Sequence, residues 1–209
     1  MTFPLPIIHV VDDDALFRAA IARLLHAEGY HTILYESADK FVESSPSQEC
    51  GCILLDMQMP GLSGLELQKR LRSIGSILPI VFLTGHGDIP KSVCAIKAGA
   101  EDVLPKPVSK EDLFASIGRA LAHYDQARAK TIRVNSDKAL LAALTQREKQ
   151  VFALLVRGKL HKQIAYELGT AERTIKAHRH SIMMKLRVRS LAEAVLFANR
   201  LITSGDLVA

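Results

Sequence analysis

Side chains suited to handling phosphate recur at separated points of this 209-residue chain. An acidic triplet, Asp12-Asp13-Asp14, is followed by Asp56 in Leu54-Leu55-Asp56-Met57-Gln58-Met59-Pro60-Gly61, by Thr84 in Phe82-Leu83-Thr84-Gly85, and by Lys106 in Pro105-Lys106-Pro107. Each ends a short apolar run. Residues 10–11, 53–55, 80–83 and 103–104 read as buried parallel strands, and open α/β sheets bind ligands beyond the carboxyl ends of such strands. One rim would therefore gather carboxylates, a hydroxyl and an ammonium. Crowded carboxylates repel unless a hard cation neutralises them, and Mg2+ (or Mn2+) held by one or two carboxylates, waters and phosphate oxygens suits such a rim. The chemistry indicated is phosphoryl capture.

The elements that must position these groups alternate. Helical patterns are expected over 16–27, with a stripe of Leu16, Ala20, Leu24 and Ala27 and Gly29 as the C-terminal stop, and over 38–43, 65–71, 88–97 and 110–121. With a strand at 32–35, this five-fold β-α alternation predicts a doubly wound parallel α/β domain of the flavodoxin-like type. An all-α helix-turn-helix domain is expected after it.

The first part, residues 7–122, resembles the receiver domain of bacterial response regulators. The resemblance rests on Asp12-Asp13, the Asp-x-x-Met-Pro-x-x-x-Gly segment from Asp56 to Gly64, Thr84 and Lys106-Pro107, all in the family's order. Any one of these alone is more often an ordinary turn, cap or surface residue; the combination is specific. The resemblance implies that Asp56 is the phospho-acceptor and forms an acyl phosphate, which is nucleophilic self-catalysis and not turnover of a substrate. It implies Asp13 as a direct and Asp12 as a water-mediated Mg2+ ligand, completed by Asp56 and the main-chain carbonyl of Gln58. Thr84 would hydrogen-bond a phosphoryl oxygen and Lys106 would pair with it, across a cis Lys106-Pro107 bond. Asp14 reads as a first-turn acid favoured by the helix dipole. Three positions depart from or vary within the pattern. Val103 stands where many relatives carry an aromatic ring that moves with the Thr, and Gln58 and His86 occupy positions that tune acyl-phosphate lifetime.

Charge divides the chain. Residues 1–122 hold 11 Lys+Arg against 15 Asp+Glu, a net of −4, whereas residues 123–209 hold 16 against 7, a net of +9. An acidic half joined to a basic half implies a regulatory module tied to a polyanion binder. In the basic half, Thr145-x-x-Glu148 is a capping-box signal that opens a helix burying Val151, Leu154 and Leu155. Residues 162–168, Gly169 and 173–186 read as helix, tight turn and helix, and 191–201 as a last helix.

Residues 144–201 resemble the LuxR-type DNA-binding domain through Leu-Thr-x-Arg-Glu, Lys162-Gln163-Ile164-Ala165, Thr174-Ile175-Lys176-Ala177-His178 and Met184-Lys185-Leu186. The resemblance places Lys176, Ala177, Arg179 and His180 at or beside the groove-facing surface. Lys162, Arg173 and Thr174 suit phosphates at helix starts. His178 reads as structural, and Thr170 as the cap where Ala171 lacks a hydroxyl.

The implied organisation is a receiver domain at 1–122, a helical linker at 123–141 broken by Asn135-Ser136-Asp137, and a DNA-binding domain at 142–209. The implied partners are a sensor histidine kinase, double-stranded promoter DNA, RNA polymerase, and a second copy of the chain when phosphorylated. Together these describe a two-component response regulator of the NarL/FixJ type. Two other readings compete: a receiver that acts as a constitutive or ligand-gated scaffold, motivated by Val103, and a Mg2+-dependent aspartyl-phosphate phosphatase, which the missing Asp-x-Asp pair and the basic helix-turn-helix oppose. A hydrophobic content of 48% suffices for two cores, and no apolar stretch is long enough to span a membrane, so a cytoplasmic location is expected. Cys50, Cys52 and Cys94 lack zinc spacing and read as reduced thiols.

Overall fold

The computed structural model describes residues 5–44, 50–85 and 89–203. His86 and Asp88 lie outside them. The chain divides into two compact units between Arg128 and Ala129.

In the first unit, β1 (Ile7–Val11), β2 (His31–Tyr35), β3 (Gly51–Asp56), β4 (Ile80–Thr84) and β5 (Asp102–Pro105) form one sheet in the order β2-β1-β3-β4-β5. All neighbouring pairs are parallel. The helices between them are α1 (Ala15–Ala27), α2 (Ala38–Glu43), α3 (Gly64–Ser73) and α4 (Ile89–Lys97), and α5 (Lys110–Ala142) follows the sheet. Strand side chains alternate between faces, and the apolar runs of β3 and β4 bury both. One face packs Ile8, Val10, Leu54, Val81 and Leu83 against α1 and α5, and the other packs Val11, Ile53, Leu55 and Phe82 against α2, α3 and α4. This is the expected doubly wound fold.

The expected stripe on α1 is not the one buried. Leu16 is 83% exposed, and Ile21, Ala22 and Leu25 face the sheet instead, with Phe17 and Leu24 packed beside them. The helix carries Ala and Leu on several faces, so periodicity alone does not choose the inward one. Asp14 also differs in detail. It is the N-cap, just outside the first turn, and its carboxylate accepts from the backbone N–H groups of Leu16 and Phe17.

In the second unit, α6 (Gln146–Val156), α7 (His161–Glu167), α8 (Glu172–Lys185) and α9 (Leu191–Thr203) enclose a core of Val151, Phe152, Leu155, Ile164, Ile175, Ile182 and Phe197. The Thr145-Glu148 capping box forms as expected. Gly169, at φ +60, makes the α7–α8 turn in a conformation that side chains with a Cβ disfavour. Two local expectations fail. Residue 171, not Thr170, is the N-cap of α8 and makes no side-chain capping bond. The helix also does not break at Asn135-Ser136-Asp137, for α5 continues to Ala142. Asp137 is buried and accepts from Arg200 Nε at 2.7 Å, and Val134, Leu140 and Leu141 pack against the second core. Tertiary packing outweighs the weak helix propensities of Asn, Ser and Asp.

Candidate functional site

The sheet brings Asp12, Asp56, Thr84 and Lys106 to the carboxyl ends of β1, β3, β4 and β5. Asp12 and Asp56 are buried, and Lys106 Nζ lies 2.5 Å from Asp12 Oδ2 and 2.7 Å from Asp56 Oδ1. The ammonium joins the two carboxylates. Each has a second tether: Asp12 Oδ1 accepts from the backbone N–H of Asp14 at 3.0 Å, and Asp56 Oδ2 accepts from that of Gln58 at 3.1 Å. Thr84 is buried at the end of β4, its hydroxyl donating to the Gly85 carbonyl at 3.1 Å, and its own carbonyl accepts from the Lys106 N–H at 2.7 Å. The Lys106-Pro107 peptide is cis.

Burial raises the pKa of Asp56, the bonds from Lys106 oppose that rise, and the charge of Asp12 adds to it. For Lys106, burial works to lower the pKa, but hydrogen bonds to Asp12 and Asp56 outweigh it and the net shift is upward. The Lys106 ammonium thus offsets part of the effect of burial on Asp56, whose net shift is still upward.

Asp13 is exposed, and among the described residues no three His, Cys, Asp or Glu side chains gather as a metal cluster. Of the expected set of Asp12, Asp13, Asp56 and the Gln58 carbonyl, the three carboxylates are therefore not assembled as converging ligands, and Lys106 balances the two buried ones. The donor chemistry nevertheless fits a hard cation. Asp12 and Asp56 both direct a carboxylate oxygen at the same cation, the Lys106 ammonium, and Asp13 and Gln58 are exposed. Of the two positions expected to tune acyl-phosphate lifetime, Gln58 is exposed and His86 lies outside the described residues.

Two contributors, Arg18 and Phe17, carry no motif signal of their own, and a third, Gly64, closes the segment that begins at Asp56. Arg18 Nη1 donates to the Asp12 carbonyl at 2.5 Å, tying α1 to β1. The Phe17 ring lies under the Lys106 ammonium. At Gly64 a Cβ would stand 2.3 Å from the Asp56 carbonyl oxygen, so only glycine lets α3 start this close to Asp56. The capping box of Ser63 and Glu66 then fixes that start.

On the second unit, Lys162 lies on α7, and Arg173, Thr174, Lys176, Ala177, Arg179 and His180 lie on α8. All are exposed except Arg179, which is half-buried, as is His178. The underside of α8 is held by Glu148 of α6. Its carboxylate accepts from Lys185 Nζ at 2.7 Å and Ser181 Oγ at 2.6 Å, and these bonds lower its pKa to about 2.

Comparison with known proteins matches residues 8–118 to the response regulator receiver domain and residues 142–198 to the bacterial regulatory proteins of the luxR family. The chain is 40% identical over 195 residues to response regulator protein TodT of Pseudomonas putida, covering 93% of this chain and 86% of that one. It is 39% identical over 192 residues to transcriptional regulatory protein FixJ of Azorhizobium caulinodans, covering 91% and 90%. The solved structure of response regulator StyR superposes with a TM-score of 0.82 at 44% identity, covering 94% of this chain and 99% of that one. The chain belongs to the NarL/FixJ family of two-component response regulators, and joins a receiver domain to a LuxR-type DNA-binding domain.

Proposed function

We propose that Asp56 is the phosphoryl acceptor through which a sensor histidine kinase controls DNA binding by the second unit. The observation that carries this reading is the placement of Asp56 Oδ1 on the same ammonium as Asp12, at the end of a fully buried strand. An Asp56 oxygen attacks phosphorus, and the bond from phosphorus to the donor's leaving group breaks. Lys106 then exchanges the Asp56 carboxylate for a phosphoryl oxygen, and Thr84 turns its hydroxyl from the Gly85 carbonyl to the same group. Asp12, Asp13, Asp56 and the Gln58 carbonyl would hold Mg2+ or Mn2+, which supplies neutralisation of the phosphate charge.

Phosphorylation favours a homodimer, and the exposed apolar side chains Ile89, Val93 and Ile96 on α4 support that face as its seat. Two copies would set two α8 helices on successive half-sites of promoter DNA. RNA polymerase is the further partner of such a regulator. The domains are assigned as 1–122 for the receiver, 123–141 for the helical linker and 142–209 for DNA binding. The helical linker is supported by the continuity of α5, and its distal turns serve the second core.

The test is Asp56→Asn. Wild-type protein with Mg2+ and a small phosphoryl donor should gain one phosphoryl group by intact mass and shift from monomer to dimer by light scattering. The variant should do neither. Equal promoter affinity with and without donor would favour the constitutive-scaffold reading that Val103 motivates.

A further inference from the structure

We infer that Phe17 is a positioning residue for Lys106, its ring face holding the ammonium at the rim while Asp56 changes from carboxylate to acyl phosphate. The inference rests on Asp56 being the acceptor.

Lys106 reaches the site on a long flexible side chain, and two of its contacts are carboxylate oxygens. One of these is on the group that reacts. When an Asp56 oxygen bonds to phosphorus, the carboxylate loses its charge and the negative charge moves outward onto the phosphoryl oxygens. Lys106 must follow it. A cation held only by Asp12 and Asp56 would relax toward Asp12, whose carboxylate is unchanged and lies 2.5 Å away.

Phe17 supplies a third anchor that the chemistry does not consume. Lys106 Nζ lies 4.3 Å from the centre of its ring, within the range in which an aromatic face attracts a cation. A ring face binds a cation without directional hydrogen bonds, so the ammonium can turn its three N–H donors from a carboxylate to a phosphoryl oxygen while staying over it. The platform itself is fixed from elsewhere. The Asp14 carboxylate accepts from the Phe17 N–H at 3.1 Å, and the side chain packs against the core between the sheet, α1 and α5. The third acid of the triplet thus fixes the backbone that carries the ring. Arg18, the next residue, holds the Asp12 carbonyl. One turn of α1 therefore orients both the lysine and one of its acids.

The experiment measures phosphorylation by phosphoramidate with Mg2+, together with the NMR signals of the Lys106 ε-methylene protons. In that reaction the bond from Asp56 oxygen to phosphorus forms as the P–N bond breaks, and the protonated nitrogen leaves as ammonia. In wild type the ε-methylene protons should lie upfield from the ring current of Phe17. Phe17→Leu should abolish that shift and slow phosphorylation about five- to tenfold, equivalent to about 1–1.4 kcal/mol. Phe17→Tyr should retain both the shift and the rate. Trifluorinated phenylalanine at position 17 keeps the ring volume but weakens its negative face, and should give an intermediate rate.

Equal rates for the Leu and Tyr variants, or a Lys106 signal indifferent to Phe17→Leu, would overturn the inference. So would a wild-type rate with the fluorinated ring. The ring-current signal needs no phosphoryl transfer, so an unreactive wild type would count against Asp56 as acceptor while leaving that signal to be read separately.

Discussion

At the scale of single residues, chemistry in this protein is set by burial against charge. Asp56 is a buried acid whose pKa is raised by burial against the opposing bonds from Lys106, a partner that no local feature of the segment around residue 56 announces. His9 shows the same physics in a structural role. It is fully buried in β1, its Nδ1 lies 3.2 Å from the Tyr35 hydroxyl, and burial lowers its pKa to about 4 from an ordinary value of 6.5. Between those values the unfolded chain binds a proton that the native receiver does not. Receiver stability should therefore fall as pH drops from 6.5 toward 4, by up to about 1.4 kcal/mol per unit. His9→Phe should flatten that dependence in urea unfolding monitored at several pH values, and an unchanged slope would show that other groups carry it. The three cysteines are free thiols that differ in burial. Cys52 is buried, with its thiol pushed up to about 12 by burial and the nearby Glu101 charge, whereas Cys94 is exposed. The identities of Asp56, Thr84 and Lys106 were legible in the sequence because each ends an apolar run. Phe17 and Arg18 were not, because a ring and a guanidinium in the first turns of an apolar helix look like packing and solvation until β5 sets Lys106 above them.

At the scale of elements, close approach and capping decide where the functional groups stand. The strands and most helices were expected nearly where they occur, since runs of Ile, Val and Leu ended by Asp or Thr have few other uses. The face of α1 and the length of α5 were not legible. Both depend on partners distant in sequence: the sheet for α1, and Arg200 with the second core for α5. Gly64→Ala should destabilise the receiver by about 1–3 kcal/mol, because the added Cβ meets the Asp56 carbonyl and forces α3 outward. Its phosphorylation should slow as well, and a variant with wild-type thermal stability and rate would count against this close approach. The distal turns of α5 lead to a second expectation. A fragment of residues 129–209 should unfold cooperatively, whereas one of residues 142–209 should be less stable by several kcal/mol for want of Val134, Asp137, Leu140 and Leu141. Calorimetry of the two fragments would settle it, and equal midpoints would mean that those turns contribute no packing.

At the scale of the whole molecule, two units of opposite charge meet acid and salt differently. In the second unit Glu148, lowered to about 2 by the bonds from Lys185 and Ser181, contributes stability above pH 4.5 that is lost as pH falls toward 2. The window for His9 lies higher. Acid unfolding should therefore proceed in two steps, with the receiver first, and Glu148→Gln should shift only the lower one. A single transition in both proteins would contradict this order. The basic unit should bind DNA with a steep salt dependence. Lys162→Ala should weaken binding to all sequences alike and reduce the slope of log K against log salt by about 1, while Lys176→Ala should also relax base preference. Fluorescence anisotropy over a salt series measures both, and an unchanged slope for Lys162→Ala would remove that residue from the phosphate contacts. Among the described residues, no helix is long and apolar enough to cross a membrane.

By itself the sequence determined the order of strands and helices, the division of charge between the halves, and the identities of the strand-end residues Asp56 and Lys106 and of the helix-turn-helix. These are written in local runs, caps and spacings of a few residues. Only the tertiary structure decided which side of α1 is buried, how far α5 extends, and that one ammonium joins two carboxylates above an aromatic ring. The reason is physical. Lys106 is separated from Asp12 by 94 positions, and what lies beside it is settled by sheet order and the packing of α1, not by its neighbours in the chain.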